Sequence, residues 1–118
     1  MIPVTRQMRY VNQAISMRLG GLAANLARIA SVAETSVVAA ISTLLAESRA
    51  FIEWTAPDLV ADRVDDAARL VDIQRGLTRW YRIWNDAQHD SAQRAQLAAQ
   101  ARAWSDEILR MSGLLDQE

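Results

Sequence analysis

The residues with the most chemical potential crowd the segment RGLTRWYRIW, residues 75–84, where three arginines are interleaved with two tryptophans and a tyrosine. Arginine beside aromatic side chains is the combination that binds nucleic-acid phosphates and bases. On a helix, however, Trp80 and Trp84 fall on an apolar side, and the arginines are centred about 140° away. Asp72 and Asp86 lie on the arginine side, where a phosphate-binding surface would exclude acids. The pattern predicts buried tryptophans and a solvated arginine row, and no nucleic-acid partner is expected.

Contact with another protein is the chemistry that these side chains suit better. The stretch SRAFIEWTAPDL, residues 48–59, places two aromatic residues just before a proline. Such aromatics either close the end of the core or, where exposed, anchor a partner, because tryptophan dominates many interface hot spots. The candidate partner contacts are Phe51, Trp54, Arg75, Arg79 and Arg82.

Catalytic and metal chemistry lack the residues that they need. The chain has one histidine, His89, and no cysteine. Asp86, His89 and Asp90 share helical spacing, but a transition-metal site needs further nitrogen or sulfur ligands. His89 is also the only histidine that could act as the base for a serine or threonine nucleophile. The acidic run at residues 58–66 suits helix capping and compensation of the helix dipole. We therefore expect no enzyme activity, no metal ion and no cofactor.

Length and composition restrict the class of protein. The chain has 118 residues, is 51% hydrophobic and contains four glycines and two prolines, which predicts one helical domain over residues 1–118. Its 13 basic residues are all arginine and are offset by 14 acids, so there is no basic excess. The longest charge-free run, between Glu34 and Glu47, is shorter than the roughly 20 residues of a membrane span. The missing cysteines and the arginines near the N-terminus predict a cytoplasmic protein.

Apolar residues recur at steps of three and four along four segments, which predicts four helices. The first helix is predicted over residues 4–33, with a kink or a break at Gly20-Gly21. The second is predicted over residues 35–54, because the segment Ser31–Glu34 has the spacing of a capping box.

The third and fourth helices are predicted to be long and adjacent. The third runs from residue 57 or 62 to 87, with Thr55 as N-cap if Pro57 occupies its first turn. The fourth begins after Asp90 and ends near Gly113, where glycine favours a helix C-terminus. The expected fold is all-α, an antiparallel bundle of about four helices in which helices three and four form a long hairpin.

The first predicted helix is the only basic element, because residues 1–33 contain four arginines and no acid. It would suit an anionic membrane surface, an organelle transit peptide, or docking on acids of the same protein such as Asp62, Asp65 and Asp106. Docking, within the chain or across a homodimer, is the prediction, because an exposed apolar row of this length exceeds what a monomer tolerates. The apolar row is Met8, Val11, Ile15, Leu22 and Leu26.

Four stretches of the chain resemble a small all-helical protein family found in cyanobacteria. They are GLAANLARIASVAE, LLAESRAFIEWTAPD, LTRWYRIW and WSDEILRMSGLL, and the similarity extends from about residue 19 to residue 115. This resemblance implies a helical fold but no activity and no functional residue. The chain also resembles PatD, a small helical family linked to heterocyst patterning and the cell-division protein FtsZ, with gaps over residues 63–88.

The function expected from these observations is protein–protein interaction by a non-catalytic regulatory or adaptor bundle. The partner is another protein or a second copy of the chain. Two alternatives stay open: a peripheral module that binds anionic membranes through helix one, and a cell-division or patterning regulator of the PatD type.

Overall fold

Helix accounts for nearly all of the structure, a computed structural model that describes residues 4–11, 13–35 and 39–116. The described residues form five α-helices and a final 3-10 turn, with no β-strand among them, so the all-α prediction is confirmed. The helices are α1 (Val4–Val11), α2 (Ile15–Ala33), α3 (Ala39–Leu59), α4 (Val64–Ala87) and α5 (Ser91–Ser112), and the turn is Leu114–Asp116.

The described residues form five helices where about four were predicted: α2, α3, α4 and α5 pack side by side as a bundle, and α1 lies against α3 as the fifth. Each helix of the bundle contacts the next one along the chain, and α2 closes the bundle by packing most extensively against α5. Helices α4 and α5 are joined by a short turn as a hairpin, but they contact each other much less extensively than α2 contacts α5. Arg69 is hydrogen-bonded to Glu107 far from the turn, and Trp80 is hydrogen-bonded to Gln100 nearer to it. None of the described helices combines the length and apolarity needed to cross a bilayer.

The ends of α5 match the sequence prediction. The carboxylate of Asp90 accepts a hydrogen bond from the backbone N–H of Ala92 at 2.9 Å, which satisfies one of the free donors of the first turn. Gly113 has φ 76°, the left-handed conformation that ends many helices and that glycine adopts without strain.

The predicted position of the break in helix one is wrong. Gly20 and Gly21 lie inside α2, and the chain leaves helical geometry at Gln13 and Ala14 instead. The break falls here because a side chain replaces the helical hydrogen bonds that are lost. Arg18 donates to the backbone carbonyls of Val11 at 2.8 Å and Gln13 at 3.1 Å. These carbonyls would otherwise end α1 without partners.

The predicted boundary at Pro57 is also wrong, because α3 continues through the proline to Leu59. Thr55 is therefore not an N-cap; it is buried in α3 and shares a 3.0 Å hydrogen bond with the Tyr10 hydroxyl. A proline this near the helix end removes one backbone N–H, while the contacts of α3 with α1 and α2 hold the helix in place. The segment Ser31–Glu34 ends α2 rather than starting the next helix, and residues 36–38 lie outside the described residues.

Tryptophan and small residues divide the core between them. Trp80, Trp84 and Trp104 are buried, as predicted. An added Cβ at Gly76 would come within 2.7 Å of the Trp104 ring, so the glycine is what lets this ring lie against α4. Where α5 meets α2, Ser105 of α5 donates to the Ala23 carbonyl of α2 at 2.8 Å. Small residues such as Ala23 at that contact allow a close approach of the two backbones.

Candidate functional site

An apolar groove lies on the outside of α3 and α4, next to the turn that joins them. Val60 and Val64 are 55% and 60% exposed, and Val71 is 37% exposed. Together with their neighbours they form an open cleft of about 460 Å³. Its lining is apolar throughout: Ala56, Pro57, Val60, Val64, Ala67, Ala68 and Val71.

A basic cleft of similar volume, about 460 Å³, follows further along the same two helices. Arg49 joins the helices here, because its Nε donates to Thr78 Oγ1 at 3.0 Å and its backbone carbonyl accepts from Gln74 Nε2 at 3.1 Å. Its guanidinium lies 5.1 Å from the centre of the Tyr81 ring. The residues that line this cleft are Arg49, Gln74, Arg75, Thr78, Arg79 and Arg82.

The two clefts belong to one surface, as the helical register of α4 shows. Val64, Val71 and Thr78 are spaced by seven residues, and so are Ala68, Arg75 and Arg82. Seven residues return to nearly the same side of a helix, with a drift of about 20°. Residues 64–82 therefore present a strip roughly 27 Å long at a rise of 1.5 Å per residue. We call this strip and the facing side of α3 the α3–α4 face, with an apolar end at the turn and a basic end beyond it.

Acids neutralise the basic end less than the sequence predicts. Arg75 pairs with Asp72 at 3.3 Å within α4, and both side chains are exposed. Exposed pairs of this kind contribute little. In the described part of the chain, Arg79 and Arg82 form no ion pair. Asp86 lies four residues after Arg82 on the same side of the helix, but the two side chains do not pair there. The predicted contacts Arg75, Arg79 and Arg82 thus share one accessible cleft.

The two aromatic candidates are used inside the chain instead. Phe51 is buried and stacks on Tyr10 with ring centres 4.3 Å apart and planes 9° apart. Trp54 is half-buried and lies 5.7 Å from the Tyr10 ring. Of the two roles open to Phe51 and Trp54 by sequence, the structure assigns them to closing the core against α1.

Helix α1 and the start of α2 are docked on the protein itself, through acids other than those predicted. Arg6 pairs with Glu47 of α3. Arg18 is buried, and its Nη1 contacts Asp58 Oδ2 at 2.6 Å. The expected partners Asp62, Asp65 and Asp106 form no ion pair with these arginines in the described chain.

The apolar row of this basic region is largely covered. Leu22 and Leu26 are buried, Val11 and Ile15 are half-buried, and Met8 is exposed. A membrane-binding helix needs such a row free, so docking removes most of the apolar surface that would enter a bilayer.

Tyr10 is the most perturbed titratable group of this junction. Its hydroxyl donates to the Arg18 carbonyl at 2.9 Å and shares a hydrogen bond with Thr55. Burial raises the pKa of Tyr10 to about 12, because the phenolate would lose its hydration, and this outweighs the opposing effects of Thr55 and Arg18.

A second ionic contact joins α4 to α5 on the surface. Arg69 donates through two guanidinium nitrogens to the two carboxylate oxygens of Glu107, with Nη2 to Oε1 at 2.9 Å. This hydrogen bonding holds the pKa of Glu107 below its usual value and raises that of Arg69. The pair stabilises the hairpin and is occupied with its own two hydrogen bonds.

The remaining polar candidates do not converge. His89 is exposed in the turn between α4 and α5. Asp58 pairs with Arg18, and Asp66 pairs with Arg63 at 2.7 Å, as separate contacts. Within residues 4–11, 13–35 and 39–116, no three His, Cys, Asp or Glu side chains meet in a group that could hold a metal ion.

Two parts of the α3–α4 face are not predicted from the sequence: Arg49 and the exposed valines. Arg49 has no predicted role, because its place beside the α4 arginines depends on how α3 packs. The exposed valines have a weak signal: Val64, Ala68 and Val71 repeat at steps of four and three on a side of α4 that the core stripe does not use.

Comparison with known proteins adds nothing to this geometry. No protein-family model, curated protein or solved structure matches the chain. The function is therefore argued from the side chains and surfaces themselves.

Proposed function

We propose that this protein is a non-catalytic adaptor that binds an amphipathic helix of a partner protein along the α3–α4 face. The partner helix carries apolar side chains at one end and acidic side chains at the other. One observation carries this proposal: an exposed apolar cleft follows, on one helical register, an arginine cleft in which only Arg75 is paired with an acid among the described residues.

The apolar end supplies the driving force. Val60, Val64 and Val71 lose their contact with water when a partner covers them, at about 25 cal/mol for each Å² of apolar surface buried. Helices that lie in such grooves present anchors at positions i, i+3, i+4 and i+7. A partner helix of about 18 residues matches the length of the face.

The basic end supplies orientation and selectivity. Arginine is enriched in protein interfaces, where its guanidinium binds carboxylates through two parallel hydrogen bonds. Charges placed at one end of an apolar groove permit one direction of the bound helix and oppose the other. Since Arg49 is already held by Thr78, little further side-chain entropy is lost when it meets a carboxylate.

The other functions suggested by the sequence have less support from the described residues. A membrane-binding role would use the apolar row of α1 and α2, most of which is covered. A cell-division or patterning regulator would be one kind of adaptor within this proposal. Identifying the partner protein would show whether the chain has that role.

Selection from a displayed library of random helical peptides tests the proposal even though the partner is unidentified. We expect the enriched peptides to combine Leu, Ile or Val at helical spacing with Asp or Glu clustered at one end. Enrichment of peptides without acids, or of basic peptides, would contradict the proposal.

Two pairs of variants locate the binding. Arg79→Glu should lower the affinity for a selected peptide by roughly three- to tenfold, as expected when one charge at the rim of an interface is reversed. Its control is Arg102→Glu, because Arg102 is an exposed arginine on α5 with no ion pair in the described chain. Val64→Ser should weaken the peptide, whereas Leu115→Ser, at a residue of similar exposure, should not.

Sedimentation of the purified chain separates a foreign partner from a second copy. The proposal expects a monomer whose mass is unchanged by Arg79→Glu. A dimer that Arg79→Glu or Val64→Ser dissociates would show that the face is a homodimer interface instead.

A further inference from the structure

A second pocket, of about 610 Å³, lies where α1 meets α2, and it shares no residue with the α3–α4 face. Its lining includes Arg6 and Arg9 from α1, and Gly21, Asn25 and Arg28 from α2. We call it the α1–α2 pocket. Docking of α1 creates it, so no local sequence pattern indicates it.

The described lining of the α1–α2 pocket is basic, and none of the described residues that form it is an acid. Arg6 is paired with Glu47. Arg9 and Arg28 are exposed and form no ion pair within the described parts of the chain. Two uncompensated guanidinium groups, with a third nearby, make the pocket attractive to an anion.

Asn25 provides an independent sign of a missing ligand. The residue is only 6% exposed, and its buried amide nitrogen has no hydrogen-bond partner among the residues that the structure describes. Buried polar groups are almost always paired, because an unpaired donor loses its hydration and gains nothing in return. An acceptor atom delivered into the pocket that Asn25 lines would remove this cost.

The space for a ligand is open beside Gly21. A Cβ added there would meet no heavy atom within 4 Å, whereas one added at Gly20 would come within 2.8 Å of Leu114. The two neighbouring glycines thus differ in kind, because Gly20 faces a packed side chain and Gly21 faces free volume.

We infer that the α1–α2 pocket binds a phosphomonoester group, carried either by a small phosphorylated molecule or by a phospholipid headgroup that ends in a phosphomonoester, as in phosphatidic acid. Each guanidinium presents a planar fork of donors, and Asn25 has a donor to spare. A carboxylate has two oxygens and one charge, which Arg28 alone would satisfy. A phosphate has three terminal oxygens and up to two charges, which match donors that come from both helices.

Nuclear magnetic resonance tests the site residue by residue. Titration of ¹⁵N-labelled protein with inorganic phosphate or pyrophosphate should shift the backbone amide of Gly21 and the side-chain amide of Asn25. The chain has four glycines, so the Gly21 signal is readily distinguished. Absence of shifts at both groups at tens of millimolar of either probe, together with no binding to anionic vesicles, would overturn the inference.

Three variants separate binding from folding. Arg28→Gln should lower the affinity for the phosphate or pyrophosphate probe by roughly tenfold, whereas Arg102→Gln should leave that affinity unchanged. Gly21→Leu fills the free volume and should abolish the shift at Asn25, with Ala27→Leu, at an exposed position on the same helix, as control. Asn25→Leu should abolish binding yet give a protein at least as resistant to urea, since it removes an unpaired buried donor. Equal titration of the wild type and Arg28→Gln would overturn the inference.

Vesicle flotation identifies the source of the phosphate. Binding to vesicles that contain phosphatidic acid, but not to phosphatidylcholine vesicles, that Arg28→Gln abolishes supports a headgroup ligand. Shifts with phosphate or pyrophosphate and no vesicle binding support a free phosphorylated ligand. Vesicle binding that is the same in Arg28→Gln and in the wild type would contradict a role for the pocket.

Discussion

The junction of α1 with α2 and the outer side of α4 use arginine in opposite ways. At the junction, Arg18 is 7% exposed and donates to backbone carbonyls at the end of α1 as well as to Asp58 of α3. On α4, Arg79 and Arg82 are not buried, and they form no ion pair in the described chain. The same type of side chain fixes the fold in one region and is exposed, without an ion pair in the described chain, in the other.

What decides between the two roles is whether another helix brings an acceptor to the guanidinium. A buried arginine must be paired, because an isolated charge in the interior is very costly. An exposed arginine keeps its hydration and contributes little to stability, so it can exchange water for a carboxylate of a partner. Local sequence spacing predicts the helix that carries an arginine, but it does not predict which other helix packs against that arginine.

The largest effect is expected from Arg18→Met. The substitution keeps the bulk of the side chain but leaves the Val11 and Gln13 carbonyls and Asp58 without their donor, so the free energy of unfolding should fall by about 3 kcal/mol. Urea denaturation followed by circular dichroism measures the change. Arg82→Met is the control, and it should cost under about 1 kcal/mol because Arg82 is exposed and forms no ion pair in the described chain. A loss of the same size in both variants would remove the contrast between the two regions.

Tyr10 gives the junction of α1 with α2 and α3 an alkaline sensitivity. Its pKa is about 12 in the folded protein, against about 10 in an unfolded chain. Because the folded state binds more protons between these values, stability is full below pH 10 and is lost as the pH rises towards 12, by roughly 2–3 kcal/mol.

The measurement is urea denaturation at several pH values between 9 and about 12, a window set by the Tyr10 pKa. Tyr10→Phe should remove most of the decline, whereas Tyr81→Phe, on the exposed side of α4, should leave it unchanged. An equal decline in wild type and Tyr10→Phe would assign the alkaline loss to other groups.

Between the two extremes lies the surface pair of Arg69 and Glu107. Arg69→Gln should lower the free energy of unfolding by under about 1 kcal/mol at neutral pH, since both side chains are partly exposed. The folded-state pKa of Glu107 is depressed, so this contribution is present above the usual glutamate pKa of about 4.3 and is lost as the pH falls below it. Wild type and variant should therefore converge in acid, and a constant difference would contradict the assignment.

The smallest effect is expected on the basic end of the α3–α4 face. Arg79→Gln should change the free energy of unfolding by at most about 0.5 kcal/mol, as is usual for surface positions without a buried contact. The same variant should weaken an acidic peptide selected on this face. A destabilisation that approached that of Arg18→Met would show that the α4 arginines belong to the fold rather than to a binding surface.

Much of the hairpin can be predicted from local patterns, for reasons that are physical. Trp80, Trp84 and Trp104 belong to apolar rows that repeat at steps of three and four, and burial follows from that period alone. The cap at Asp90 and the left-handed Gly113 are also local devices, which depend on the few residues beside them.

The failures lie where a distant residue overrides a local preference. Pro57 is a helix breaker by sequence, but Arg18 and Tyr10 hold α3 together across it. Gly20 and Gly21 are unfavourable in a helix, but the chain breaks before them, where Arg18 satisfies the carbonyls. None of these contacts has a spacing that a sequence pattern could show.

The candidate site divides in the same way. Arg75, Arg79 and Arg82 lie on one helix, so their common side can be derived from its period. Their neighbourhood with Arg49 and with the exposed valines depends on the packing of α3 against α4. The α1–α2 pocket requires the docking of α1, which no spacing within either helix encodes.

The pairing of α2 with α5 has a consequence for how the chain acquires its structure. Ser105 and Ala23, which share a hydrogen bond across these helices, are 82 positions apart. Contacts between such distant residues form only after a large loop has closed, which slows folding relative to bundles with neighbouring contacts alone. On the ribosome, α3 can cover part of α2 early, but the side of α2 that packs against α5 stays exposed until α5 emerges. Chaperones that shield exposed apolar segments would have their longest opportunity with this protein during that interval.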